Sequence, residues 1–337
     1  MSGSATSVSR CSTDLFSGFF AATRSAGRGG AGQNDTTMIR NWMFGALALL
    51  GGGCGAPGGG ADDRAPRKEI AVQLYSVRSL TQPGGAYEHD WPRLLGRLGE
   101  MGYTAVEAAG YADGRFYGFA PEEFRRMVEA AGMRPLSSHC TKPLTKEEVR
   151  SGDFTESLKW WDACIAAHKA AGMSYVVTPW MDLPATLAEL SVYCAYYDEV
   201  GRRCREAGLG YGYHNHAHEF RKVEDRVVLD YMLEHTDPAC VFFQLDVYWA
   251  VMGQASPVDY FTRYPGRFRL LHIKDRREIG ESGMVGFDAI FRHAAQAGAE
   301  YMIVEMEEFT SGVEEGLRQS LDYLNRAPFV AASYARP

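Results

Sequence analysis

Basic runs are missing from this sequence. Its 337 residues carry 35 Lys and Arg against 42 Asp and Glu, a net charge of −7. No basic block interrupts the body, which argues against a nucleic-acid groove. CxxC spacing is missing too. Of seven cysteines, Cys11 and Cys54 fall in the leader, and Cys140, Cys164, Cys194, Cys204 and Cys240 are scattered. That removes a zinc ribbon or a CxxC redox motif and leaves core thiols as the expectation. No apolar run is long enough to span a bilayer. No Gly-rich phosphate turn follows a first strand, which a doubly wound open sheet of the dinucleotide type would need.

What is present is a sizeable apolar fraction, 46%, with 12% aromatics. The length suits one α/β barrel of about 250 residues with extras. Residues 1–37 are rich in Ser, Gly, Ala and Thr without a hydrophobic period, and read as disordered or as a mis-called start. Residues 38–54 hold MIRNW, the short apolar run MFGALALL and then LGGGC, which describes a secretory signal. Cys54 after three glycines resembles the lipidated cysteine of a bacterial lipoprotein signal. Residues 55–68 would be a flexible tether. The expectation is an exported, periplasmic lipoprotein, touching a membrane only through that lipid. If the leader is not a signal, the protein is cytoplasmic.

From Glu69 onward one unit repeats: a helical stretch ends in Gly and a short apolar strand follows. The capping glycines are Gly102, Gly132, Gly172, Gly208 and Gly298, as left-handed helix caps require. With IAVQLYSV at the start and FFQLD and LLHIKD late in the chain, eight strands result. Helices are expected at 91–101, 121–131, 154–171, 183–207, 228–235, 287–297 and 313–325. The link between strands six and seven offers only Pro257–Tyr264. Alternating strands and helices argue a parallel sheet, and eight units argue a closed (β/α)8 TIM barrel, an α/β fold, over residues 69–330.

In such a barrel the chemistry sits at the C-terminal strand ends. Those ends carry Gln73, Glu107, His139, Trp180, His214 with His216, Asp246, His272 with Lys274, and Glu305 with Glu307. Strand phase agrees: Phe242, Gln244 and Asp246 share a face, as do Leu270, His272 and Lys274, and Ile303, Glu305 and Glu307. Each of the last four strands therefore offers a metal-capable side chain, with His214 and His216 both open on the fifth. A mixed nitrogen and oxygen set suits Mn²⁺, Co²⁺, Zn²⁺ or Mg²⁺ rather than a closed structural zinc. Asp246 has a plainer reading as the cap of the following turn. Trp180 and Trp249 read as walls of a substrate pocket, and Glu107 as a functional buried carboxylate.

AVQLYSVR, HNHAHEF, QLDVYWAVMG, LLHIKD and MIVEMEE, on strands one, five, six, seven and eight, together resemble the xylose isomerase-like TIM-barrel superfamily. Within it the likeness is to the sugar phosphate isomerase/epimerase group. The resemblance implies one divalent metal held by His214, Asp246, His272 and Glu305. It implies proton removal α to the carbonyl of a keto-sugar; His216 is the first candidate base, because an imidazole titrates near neutrality, and Glu305 the second. Lys274 would stabilise an oxyanion, and Glu107 and His139 would hold sugar hydroxyls. This chain departs from the ketose epimerases in carrying HNH where they have a metal-binding Glu on strand five. Only Glu305 remains of their glutamate pair. The expected function is a metal-dependent isomerase or epimerase acting through an enediolate on an unphosphorylated keto-sugar. The alternatives are a keto-glycoside lyase or dehydratase, and a non-catalytic sugar-binding lipoprotein. The endonuclease IV branch shares the fold but needs three metals and a basic DNA face.

Overall fold

A computed structural model of the chain describes residues 68–334. The expected leader features at 1–37 and 38–54 and nearly all of the tether lie outside the described residues. Eight strands close into a barrel in sequence order: β1 (Ile70–Gln73), β2 (Ala105–Ala108), β3 (Arg134–His139), β4 (Tyr175–Thr178), β5 (Gly210–His214), β6 (Val241–Asp246), β7 (Leu270–Ile273) and β8 (Tyr301–Val304). Every neighbouring pair is parallel, and β1 pairs with both β2 and β8. This is the (β/α)8 TIM barrel expected from the repeat.

The reason the repeat was readable is the helix stop. Gly102, Gly132, Gly172, Gly208 and Gly298 all adopt positive φ, the left-handed conformation that glycine reaches without steric cost. Helices Trp91–Met101 and Val228–His235 match their expected spans. Two differ. The helix expected from 183 begins at Leu187, because Thr186 caps it by accepting from Glu189 N at 3.2 Å. The stretch 287–297 splits into Phe287–Arg292 and Ala294–Ala297, broken at His293. The weak link after β6 holds Val247–Met252 and then Pro257–Arg263.

The strand IAVQLYSV stops at Gln73, whose side chain accepts from Tyr75 N at 3.1 Å and turns Leu74–Val77 into a 3₁₀ turn. Lys68, the last residue of the expected tether, is buried. Its Nζ donates to Leu324 O at 2.9 Å and Ala327 O at 2.7 Å, so it belongs to the barrel.

Two apolar regions hold the fold. The larger lies between strands and helices and includes Val72, Val106, Trp161, Phe243 and Leu321. The smaller fills the barrel interior with Ala71, Ala105, Leu136, Tyr175, Val177, Phe242, Leu270 and Ile303. Among the described residues, no helix is long and apolar enough to cross a membrane.

Candidate metal centre

The strand faces that carry the interior cluster change character toward the C-terminal end. Ala71, Ala105, Phe242, Leu270 and Ile303 belong to that cluster. Two residues further along each strand come Gln73, Glu107, Gln244, His272 and Glu305, all buried. The strand period of two puts them on the same faces. On β5 the residue below His214 is Gly212, where a Cβ would lie 2.4 Å from the Phe242 ring. Glycine there lets the strand pass that ring and deliver His214 above it.

Glu107 is the most heavily bonded group of this polar layer. Oε1 accepts from Gln73 Nε2 at 2.8 Å and His272 Nε2 at 2.6 Å, with His139 Nε2 at 3.1 Å. Oε2 accepts from Ser137 Oγ at 2.6 Å and Gln244 Nε2 at 2.9 Å. Burial alone would raise this carboxyl. His139 and His272 outweigh burial and hold it well below the usual carboxylate range. Glu107 was expected to hold sugar hydroxyls; it is fully buried, and protein donors bond both of its oxygens. His139 is bound on the same side, with Nε2 2.7 Å from Gln244 Oε1.

His214, Asp246, His272 and Glu305 bring one ligand atom each within 4.8 Å of one another, all four buried. Asp246 caps the turn that follows it, as its plainer reading has it. Oδ1 accepts from Trp249 N at 2.8 Å and caps Val247–Met252, while buried Oδ2 has no hydrogen-bond partner. Its backbone N–H donates to Asn215 Oδ1 at 3.1 Å. His214 Nδ1 is also buried and unpartnered. His272 Nδ1 lies 3.3 Å from Glu305 Oε2 and 3.9 Å from Asp246 Oδ2. Lys274 Nζ, nearly fully buried, lies 3.1 Å from Glu305 Oε2 and bonds Glu307.

The donor set fits a divalent cation. A buried carboxylate oxygen and a buried imidazole nitrogen without hydrogen-bond partners are costly unless something positive meets them. Burial pushes the Asp246 carboxyl up, since no compensating charge fully offsets it. Burial pushes the His214 imidazole down, which keeps it neutral with a lone pair free. Two nitrogens and carboxylate oxygens suit Mn²⁺, Co²⁺ or Zn²⁺ on ligand type. His216 falls outside this set. It lies with His218 and Glu219 instead, their ligand atoms within 4.8 Å of one another, because β5 ends at His214 and the chain turns away.

The rest of HNHAHEF forms the wall beside the centre. Glu219, fully buried, accepts from Tyr213 OH at 2.7 Å and from His216 N at 2.8 Å, and so ties the loop to β5. His216 Nδ1 is buried without a partner. Its ring lies 4.9 Å from His214, 5.1 Å from Trp180 and 5.6 Å from Trp249. Trp180 is 37% exposed and packs 4.1 Å from His218. Lys274 Nζ sits 5.1 Å from the Trp249 ring centroid. Trp180, His216 and Trp249 thus line one side of the mouth, with Lys274 between that wall and Glu305.

Sequence reasoning missed the roles of four supporting residues. Gln244 stood in phase with Asp246 but was given no role, and it bridges His139 and Glu107. Asn215 and Glu219 lie inside the histidine-rich stretch, so the stretch itself was the signal. Ser137 gave none, because its partner Glu107 is on another strand.

A (β/α)8 barrel whose last four strands end in histidines and carboxylates around one buried point is the class of protein these features define. The chain belongs to the xylose isomerase-like TIM barrel family, whose model matches residues 95–327. A sugar phosphate isomerase/epimerase from Parabacteroides distasonis is 35% identical, with 80% of this chain and 98% of that one covered and a TM-score of 0.72. An inosose dehydratase from Geobacillus kaustophilus is 26% identical over 211 residues, 58% of this chain. The match spans 65% of that relative's length. The IOLI protein, with a bound zinc atom, shares the fold at 11% identity and a TM-score of 0.58, over 75% of this chain and 95% of its own. The family and the relatives named as isomerase/epimerase and dehydratase are enzymes.

Proposed function

We propose that this protein is a divalent-metal-dependent enzyme that removes the proton α to the carbonyl of an unphosphorylated keto-sugar and returns a proton to the neighbouring carbon, giving isomerisation, or to the opposite face of the same carbon, giving epimerisation. The observation that carries this reading is the buried four-residue cluster His214, Asp246, His272 and Glu305, in which His214 Nδ1 and Asp246 Oδ2 have no hydrogen-bond partner. A divalent ion held by His214, Asp246, His272 and Glu305 would supply Lewis-acid polarisation of the carbonyl.

The chain's own residues do the rest. His216 is the proton acceptor, because its Nδ1 is unpartnered beside the cluster. Burial, and then the Lys274 charge, push its imidazole down to about 3, so it meets the substrate neutral. Negative charge developing on the substrate raises its hold on the proton. Lys274, held as an ammonium by Glu305, Asp246 and Glu307 against its burial, faces the developing oxyanion. Trp180 and Trp249 provide flat apolar faces for a sugar ring.

The occupied backbone donors of the loops after strands seven and eight support the neutral substrate. Barrels often hold phosphate with the loops after strands seven and eight. Here Asp275 accepts from Arg276 N at 2.7 Å and Gly280 N at 3.1 Å, and Glu278 accepts from Thr310 N at 2.8 Å. Carboxylates already occupy those backbone donors.

A second reading has its own observation. Glu305 is clamped by Lys274 and His272, and Glu219 by Tyr213 and His216. His216 is left as a single proton acceptor opposite an ammonium. One base and one acid suit expulsion of a β-substituent, as in a dehydratase or keto-glycoside lyase. Deuterium exchange decides whether the shared first step occurs. Keto-sugars incubated in heavy water with metal-loaded protein should gain deuterium α to the carbonyl, and chelator should stop it. Exchange that ignores chelator, or is faster on the phosphate esters, overturns the proposal.

A further inference from the structure

Away from the barrel mouth, Cys140, Cys164 and His168 meet in the buried layer between β3 and the helix Thr155–Ala170. Cys140 follows the last residue of β3, and its N–H donates to Val177 O of β4 at 2.9 Å. Cys164 lies on the inner face of the helix, fully buried. Their sulfurs are 3.3 Å apart. A disulfide bond is about 2.05 Å long, so about 1.3 Å of closure separates the contact from a bond.

A metal is the competing use of two thiols and an imidazole, and His168 argues against it. His168 Nδ1 lies 2.7 Å from Cys164 O, the carbonyl one helical turn back. A carbonyl only accepts, so Nδ1 is the protonated nitrogen. It is also the nitrogen 3.6 Å from Cys164 Sγ. The ring therefore turns a proton, not a lone pair, toward the thiols.

We propose that Cys140 and Cys164 form an intramolecular disulfide that ties the mouth end of β3 to the helix Thr155–Ala170. The thiolate of one cysteine attacks a disulfide-bearing oxidant and releases one thiol. The second cysteine then attacks the mixed disulfide and releases the other. Two protein thiols become one protein disulfide, and the oxidant's disulfide becomes two thiols. Burial raises the Cys140 thiol, but the hydrogen bond from Cys164, the His168 imidazole and Ser138 together outweigh it and lower the thiol below its ordinary value. That favours a thiolate at one sulfur of the pair. Because both sulfurs are buried, exchange belongs to the folding chain or a locally opened state. The bond would hold His139, the neighbour of Cys140, in its place on Gln244 and Glu107.

The test is to refold the full chain from denaturant in a mixture of oxidised and reduced glutathione, alkylate free thiols, and map peptides without reduction. A linked Cys140–Cys164 peptide is expected, with the other cysteines alkylated. The thermal midpoint of the oxidised protein should exceed that of the reduced protein by an amount on the order of 5 °C. Cys140→Ser and Cys164→Ser should each abolish both the link and the shift. Recovery of Cys140 and Cys164 both alkylated in refolded wild-type protein overturns the proposal, as does pairing of either with Cys204 or Cys240. The wild-type map decides the matter even where a serine variant fails to fold.

Discussion

His272 donates Nε2–H to Oε1 of Glu107 at 2.6 Å, and this bond leaves Nδ1 as the nitrogen that faces Asp246 and Glu305. Burial pushes the imidazole down, yet Glu107 and Glu305 hold it up to about 10. A cation arriving at Nδ1 therefore displaces a proton, while the Glu107 bond keeps the ring aimed. Glu107 in turn is held by Gln73, Ser137 and Gln244, so strands β1, β2, β3, β6 and β7 all contribute to the angle of one ring.

Glu107→Gln should weaken metal affinity by about 10- to 100-fold, the usual cost of losing a partner behind a ligand. Calorimetric titration with Mn²⁺ checks it, and circular dichroism should show the barrel intact. Glu107→Ala is harsher. It strips acceptors from several buried donors and should cost about 3 kcal/mol or more of stability, read by urea unfolding.

Lys274→Met should leave metal content unchanged and lower turnover by about 100- to 1,000-fold, the range for loss of one oxyanion donor. Metal loss in this variant would mean that Lys274 shapes the centre itself, through Glu305.

Glu219 gives a pH signature. Burial raises its carboxyl to about 8, against the hydrogen bonds from Tyr213 and His216 N–H. A folded-state value above the unfolded one of about 4.5 means that the folded chain binds the extra proton. This group's contribution to stability is therefore present at low pH and lost as pH rises from about 4.5 to about 8. Glu219→Gln should flatten that part of the stability profile, measured by urea unfolding at fixed pH steps. An unchanged slope would show that Glu219 is ionised throughout.

The strand ends were readable because barrel strands alternate strictly, so a polar residue two places past an apolar one announces the mouth. Asp246, His272 and Glu305 stood out this way, while on the fifth strand the alternation left His214 and His216 both open and the family resemblance chose His214. The role of Glu107 was not legible, since its partners come from other strands and only closure of the barrel assembles them. His216 was in phase with His214 on paper, but β5 ends at His214 and the alternation stops with it. The break at His293 is equally local, and the heptad-like run of apolar residues across it concealed it.

The leader supplies an independent prediction. We propose from Arg40, the apolar run before Gly51 and the Gly-Cys step that the native protein begins at a lipidated Cys54 and is tethered on the periplasmic side of a membrane. Intact mass of protein from its native host checks this. A species that begins at Met1 or Met38 without lipid contradicts it.

The central claim is the metal centre, and elemental content of purified protein tests it most directly. Wild-type protein dialysed against Mn²⁺, Co²⁺ or Zn²⁺ should retain about one equivalent of ion, and Asp246→Ala, still folded by circular dichroism, should retain almost none. One equivalent retained equally by both proteins would place the ion elsewhere and contradict the account.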